Sequence, residues 1–172
     1  MANTTFSGPV ISKNGFTSTG PGMIVSLTAD TTLTVASHAG RILLCNDADG
    51  KFTLPSINVN SNGATAGDND FNNLNNIGAT FTFFVETAAT DMDIKTDGTD
   101  KFKGAIMIGV DDGSKKAFVP GASNDVITMN GSTKGGIVGS VVSFTAIDTA
   151  TYMVHNSLLI GSGTIVTPYA DA

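Results

Sequence analysis

The sequence predicts an all-β protein, an antiparallel, jelly-roll-like β-sandwich with an extended N-terminal arm. Three observations lead there. Six Asx-Gly pairs, at Asn14-Gly15, Asp49-Gly50, Asn62-Gly63, Asp97-Gly98, Asp112-Gly113 and Asn130-Gly131, mostly lie beside runs rich in Thr, Val, Ile and Phe. Asn or Asp followed by Gly tolerates the positive φ angles of tight hairpin turns, so the chain is expected to reverse direction repeatedly. Apolar residues also alternate at period two, as in Phe81, Phe83 and Val85, and no segment carries a clear helical period. Finally, Glu86 is the sole glutamate among 15 acidic residues, and Asp suits turns and caps better than helix interiors.

Residues 1–16 contain Gly8-Pro9 and Asn14-Gly15 and too few alternating apolar positions for a core strand, yet they include Phe6, Val10, Ile11 and Phe16. This segment reads as an arm that lies against its own domain or a neighbour. Residues 17–172 then form a single β-sandwich domain, since a chain of this length buries roughly 70% of its unfolded surface. Met23, Val25 and Leu27 share one strand face, followed by Leu33 and Val35. Ile42-Leu43-Leu44-Cys45 is continuously apolar, as a strand buried on both sides is. Asn46 to Gly50 breaks that run and Lys51-Phe52-Thr53-Leu54 resumes it until Pro55, so a hairpin is expected there.

From Ser56 to Ala79 the composition is Asn, Gly, Asp and Ala with isolated Phe71, Leu74 and Ile77, which indicates a long surface loop with room for one helical turn. A second meander follows: Phe81 to Val85, Met92 and Ile94, the turn at Asp97-Gly98, Phe102, then Ile106 to Val110. The last third repeats the pattern with Val126 to Met129, Gly135 to Ile147, Tyr152 to Val154, Leu158 to Ile160 and Gly163 to Val166.

Composition narrows the function. A net charge of −6 with Arg41 as the one arginine leaves no basic face for phosphates, so nucleic acid is not expected as a partner. No apolar run approaches the ~18 residues of a membrane span, and the start lacks a basic region followed by an apolar stretch, so no membrane or secretory route is expected. Cys45, the single cysteine, reads as a small buried hydrophobe.

Several motifs imitate chemistry. Asp47-Ala48-Asp49-Gly50 starts like a calcium loop but lacks the later bidentate Glu, so a turn is the simpler reading and no metal or other cofactor is expected. Asp91, Asp93, Asp97 and Asp100 form a second acidic cluster, with the first two on one solvent-facing side of a strand. His38 looks like a turn residue, and neither it nor His155 has zinc-like spacing around it. There is no Gly-x-Ser-x-Gly elbow, so no catalytic residue is assigned and the chain is read as a non-enzyme. Gly135-Gly136 and Gly161-Ser162-Gly163 lack the further residues of nucleotide loops and suit bulges or close backbone approach.

Two stretches resemble a known family. Asn3 to Val10, continuing through Ser12-Lys13-Asn14-Gly15-Phe16, resembles the N-terminal signature of head-decoration, or cement, proteins of tailed phages, particularly marine ones. Leu27-Thr28-Ala29-Asp30, Ala39 to Leu44, Asn46-Asp47 and Gly50 to Pro55 are similar to the β-rich module of such proteins, and Gly78 to Phe83 and Gly139 to Phe144 continue the likeness. Where related modules carry a Trp-Tyr strand, this chain has Thr151-Tyr152-Met153. The resemblance implies a virion protein without catalysis, a homotrimer that sits on the capsid exterior, clamps adjacent major capsid subunits and is assembled in the host cytoplasm. Phe6, Val10, Ile11 and Phe16 are the expected capsid or neighbour contacts. A receptor- or glycan-binding module of a tail fibre is the alternative, because such fibres use the same β pattern with Asn/Asp-rich loops.

Overall fold

The structure, a computed structural model, describes residues 22–58 and 76–172. The arm at residues 1–16, with Phe6, Val10, Ile11 and Phe16, lies outside the described residues, as does most of the Ser56–Ala79 loop. In chain order the elements are β1 (Ile24–Leu27), β2 (Thr31–Thr32), α1 (Val35–His38), β3 (Ile42–Cys45), β4 (Lys51–Thr53), β5 (Thr80–Val85) and β6 (Met92–Lys95). There follow β7 (Lys101–Lys103), β8 (Ile106–Gly109), β9 (Lys115–Phe118), β10 (Val126–Met129), β11 (Val141–Asp148), β12 (Thr151–Ile160) and β13 (Tyr169–Ala170).

The molecule is an all-β sandwich, as the alternation predicts. The larger sheet has eight strands in the order β1-β3-β5-β11-β12-β8-β9, with β7 also on β12, and the smaller has five, β13-β10-β6-β4-β2. The antiparallel pairs are β5 with β11, β11 with β12, β8 with β9, β6 with β10 and β10 with β13. The first six strands instead alternate between the sheets. β1, β3 and β5 run parallel in one, and β2, β4 and β6 run parallel in the other, so the chain winds around the core before the later strands close it.

This winding corrects the expected hairpin at Asn46 to Gly50. β3 and β4 belong to different sheets, and the turn carries the chain across the core edge, where Thr90 N–H donates to the Ala48 carbonyl at 2.7 Å. Gly50 is not required by a positive φ: a Cβ there would come within 2.6 Å of the Phe52 ring. Asp97-Gly98 likewise joins β6 to β7 across the sandwich, whereas Asp112-Gly113 does close a hairpin, between β8 and β9, with φ +84° at Gly113.

Two other local expectations change. Val35 begins the single turn α1, capped by the Thr34 hydroxyl, which accepts from the Ser37 N–H at 3.3 Å, so it does not share a strand face with Leu33. β3 is buried on one side only: Leu43 and Cys45 face the core, while Ile42 is 45% exposed.

Inward residues of both sheets make one core. Phe52 of the smaller sheet stacks on Phe83 of the larger at 6.2 Å, Phe83 meets Phe144 edge-on at 5.7 Å, and Phe144 packs on Phe102 at 5.1 Å. Such aromatic pairs add roughly 0.5–1.5 kcal/mol to what area burial already contributes. The junction of β7 and β8 needs glycine: Gly104 has φ +124°, and a Cβ there would collide with the Val154 backbone carbonyl.

Candidate interaction surface

The side chains singled out for chemistry are held in structural roles. His38 sits at the end of α1, where its Nδ1 accepts from the Thr34 N–H at 2.9 Å. His155 Nε2 lies 2.9 Å from the Thr145 hydroxyl on the neighbouring strand. Cys45 is fully buried, and burial pushes its thiol pKa up to about 12, which leaves almost no thiolate at neutral pH.

The acidic residues divide into separate places. Asp91 and Asp93 each lie 3.1 Å from the Lys51 ammonium on the outward side of the smaller sheet; the solvent-facing reading holds for Asp91, whereas the Asp93 side chain is only 20% exposed and its Oδ1 is buried without a hydrogen-bond partner. Asp100 is 2% exposed and accepts from the Ile57 N–H at 2.8 Å; desolvation is the main cause that raises its carboxyl pKa. For Asp97 desolvation acts in the same direction, but the Ser56 hydroxyl and the N–H groups of Thr99 and Asp100 outweigh it and hold the carboxyl below its usual range. Asp47 is shifted up, by desolvation and then by the adjacent Asp49 carboxyl. Among the described residues, no group of three or more His, Cys, Asp or Glu is placed to hold a metal ion.

Gly135, Gly136 and Gly161 match the close-approach reading, whereas Gly163, with φ +68°, has open space around it. A Cβ on Gly135 would come 2.7 Å from Leu159 Cβ, and one on Gly161 would come 2.6 Å from the Ser132 carbonyl. The described ends of the long loop are clamped together by Asn76, which is 5% exposed: its amide donates to the Ser56 carbonyl at 2.7 Å and its Oδ1 accepts from Asn58 N–H at 2.8 Å. A shallow open groove of about 440 Å³ runs between β7 and residues 119–122, lined by Phe102, Lys103, Val119 and Pro120.

The surface that sequence reasoning missed is the outward face of the larger sheet. Register places Leu44, Phe84, Val141, Leu158 and Met107 side by side on successive strands β3, β5, β11, β12 and β8. Leu158 is 48% exposed and Met107 44%. The adjoining row is Ile24, Ile42, Thr82, Ser143 and His155. Its polar members bond within the sheet: Thr82 to Ser143 at 3.0 Å, Thr145 to His155 at 2.9 Å and, beside them, Thr80 to Thr145 at 2.7 Å. Asn156, the bulged residue of β12 with φ +45°, adds an amide donated to the Ser143 hydroxyl at 3.4 Å. The signal in the sequence was the set of consecutive apolar residues on β3, β5, β11, β12 and β8, such as Ile42-Leu43-Leu44-Cys45, Phe83-Phe84-Val85 and Leu158-Leu159-Ile160, which reflect one apolar face inward and another outward.

No family model, curated protein or solved structure matches the chain. The functional reading therefore stands on the fold, this surface and the resemblance carried by the sequence itself.

Proposed function

We propose that this chain is a structural virion protein that decorates the outside of a tailed-phage head as a homotrimer and cements adjacent major capsid subunits. The observation that carries the reading is the use of polar side chains: His38, His155, Asn76, Asp97 and Asp100 all satisfy backbone or neighbouring side-chain groups. Such a molecule offers its surroundings backbone corners and apolar surface, which suits adhesion between many copies. The mechanism is mass action, because a protein that binds only the assembled shell lowers the free energy of that state relative to the ruptured one. Trimerisation multiplies a modest contact through effective concentration. Phe6, Val10, Ile11 and Phe16 of the arm are the proposed contacts with the capsid or a neighbour, as apolar anchors along an extended segment.

A variant lacking residues 2–16 tests this. It is expected to fold with the circular dichroism of the full chain and to lose co-sedimentation with capsids. Full retention of capsid binding contradicts the role of the arm, and label on the tail of virions in micrographs, with none on the head, contradicts decoration.

A further inference from the structure

We infer that copies of this chain pack on one another through the outward face of the larger sheet. This goes beyond the proposed function: a face that meets the same face of another copy pairs copies about a two-fold axis, a contact separate from those of the proposed homotrimer. Leu44, Phe84, Val141, Leu158 and Met107 form an apolar row that crosses five strands in register, and Ala117 on β9 extends it to a sixth. With strands about 4.8 Å apart and outward residues about 6.8 Å apart along each strand, every outward position covers roughly 33 Å², and because the short strands β1, β3, β8 and β9 offer only two such positions each, the face measures roughly 600 Å², the lower end of what a stable interface takes from each partner. A standard stable interface takes about 800 Å² from each partner.

Charge selects the occupant. Each copy carries a net charge of −6, so two copies repel wherever their acidic residues meet. The two central rows of this face contain no Asp, Glu, Lys or Arg, whereas the outward face of the smaller sheet carries Lys51, Asp93 and Lys95. A basic partner gains nothing from these two rows; a second acidic copy docks on them without repulsion, and Lys103 and Lys115 in the flanking rows can meet its carboxylates. The polar groups in the middle of the face are prepared for burial. Thr80, Thr82, Ser143, Thr145 and His155 bond to one another, so covering them strands few donors or acceptors, and stranding them is the main cost of burying polar surface.

The test is the mass in solution of the purified full chain, measured by light scattering over a dilution series. The full chain is expected to run as an oligomer. Leu158→Asp and Met107→Glu each place a carboxylate at a position that is about half exposed, so both variants are expected to fold and to run at a lower mass than the full chain, with association through this face weakened about a hundredfold or more. Thr53→Asp, on the outward face of the smaller sheet, is expected to keep the full-chain mass. Thermal melts confirm folding, and Thr82→Lys supplies a second probe of the face should either variant melt early. The inference is overturned if the full chain is monomeric throughout, or if folded face variants keep the full-chain mass. It is also overturned if removal of residues 1–21 alone converts a monomer into an oligomer, since the face is then covered by its own chain. Capsid binding is scored separately: a face-dependent oligomer that ignores capsids refutes decoration and supports this interface.

Discussion

The two outward faces of the sandwich are built from strands of the same kind yet present opposite chemistry. On the smaller sheet the outward positions of β4 and β6 are Lys51, Thr53, Asp93 and Lys95, with Lys51 held between Asp91 and Asp93. On the larger sheet the corresponding positions of β3, β5 and β12 are Ile42, Leu44, Thr82, Phe84 and Leu158. One face is finished for water and the other is left ready for contact. A sheet whose second face is wet normally shows clean alternation of apolar and polar residues, and the departure from that rule on β3 is what marks the contact side.

Substitutions inside and outside the same strand sharpen the contrast most. Phe83 is fully buried and touches both Phe52 and Phe144, so Phe83→Ala is expected to cost about 3–5 kcal/mol in urea unfolding. Its outward neighbour Phe84 is only partly buried, so Phe84→Ala is expected to cost about 1 kcal/mol while weakening self-association; equal costs for the two would erase the distinction between faces.

A smaller effect separates the faces by salt. Lys51 bridges the exposed Asp91 and the mostly buried Asp93, so Lys51→Met should lower stability by about 1 kcal/mol, and only the share of the loss that belongs to Asp91 should vanish at molar salt. Association through the uncharged face should persist or strengthen under the same salt, read as the midpoint of the dilution series, because screening removes repulsion between acidic copies.

Acid acts at the ends of the sandwich. Asp148 is held below its usual range first by the Ala150 N–H, and Asp97 is lowered by its hydroxyl and backbone donors despite desolvation. A depressed carboxyl pKa stabilises the fold above the unfolded value of about 3.9, and that contribution is lost as pH falls through the folded value. Urea midpoints should therefore drop between pH 5 and pH 2.5 in the wild type, and drop less in Asp97→Asn with Asp148→Asn. The smallest effect concerns Cys45, whose buried thiol should resist a disulfide reagent at pH 8 until the protein unfolds.

The strands were legible in the sequence where one face is apolar and the other polar. Phe81 and Phe83 set between Thr80, Thr82 and the outward Phe84 located β5 for that reason over most of its length. β9, Lys115–Phe118, gave no signal because three of its four residues are exposed, and Gly163 to Val166 forms no strand although its apolar residues suggested one. Asx-Gly pairs located turns but not their destinations, since the same dipeptide can return a strand to its own sheet, as at Gly113, or pass it to the other, as at Gly50 and Gly98. The contact face was hidden for a related reason. Leu44, Phe84, Val141, Leu158 and Met107 are far apart in the chain, and only strand order brings them together. The arm residues Phe6, Val10, Ile11 and Phe16 fall outside the described residues, and binding experiments decide their role.

Methionine oxidation tests the central claim directly. Met107 is 44% exposed on the outward face of the larger sheet, Met23 is 66% exposed at the start of the described chain, and Met92 and Met129 are buried in the core. Under dilute peroxide, with site occupancy read by mass spectrometry, Met107 should oxidise as slowly as Met92 in the assembled wild type and as fast as Met23 in Leu158→Asp. Rapid oxidation of Met107 in the wild type, at the rate seen in the variant, contradicts the account.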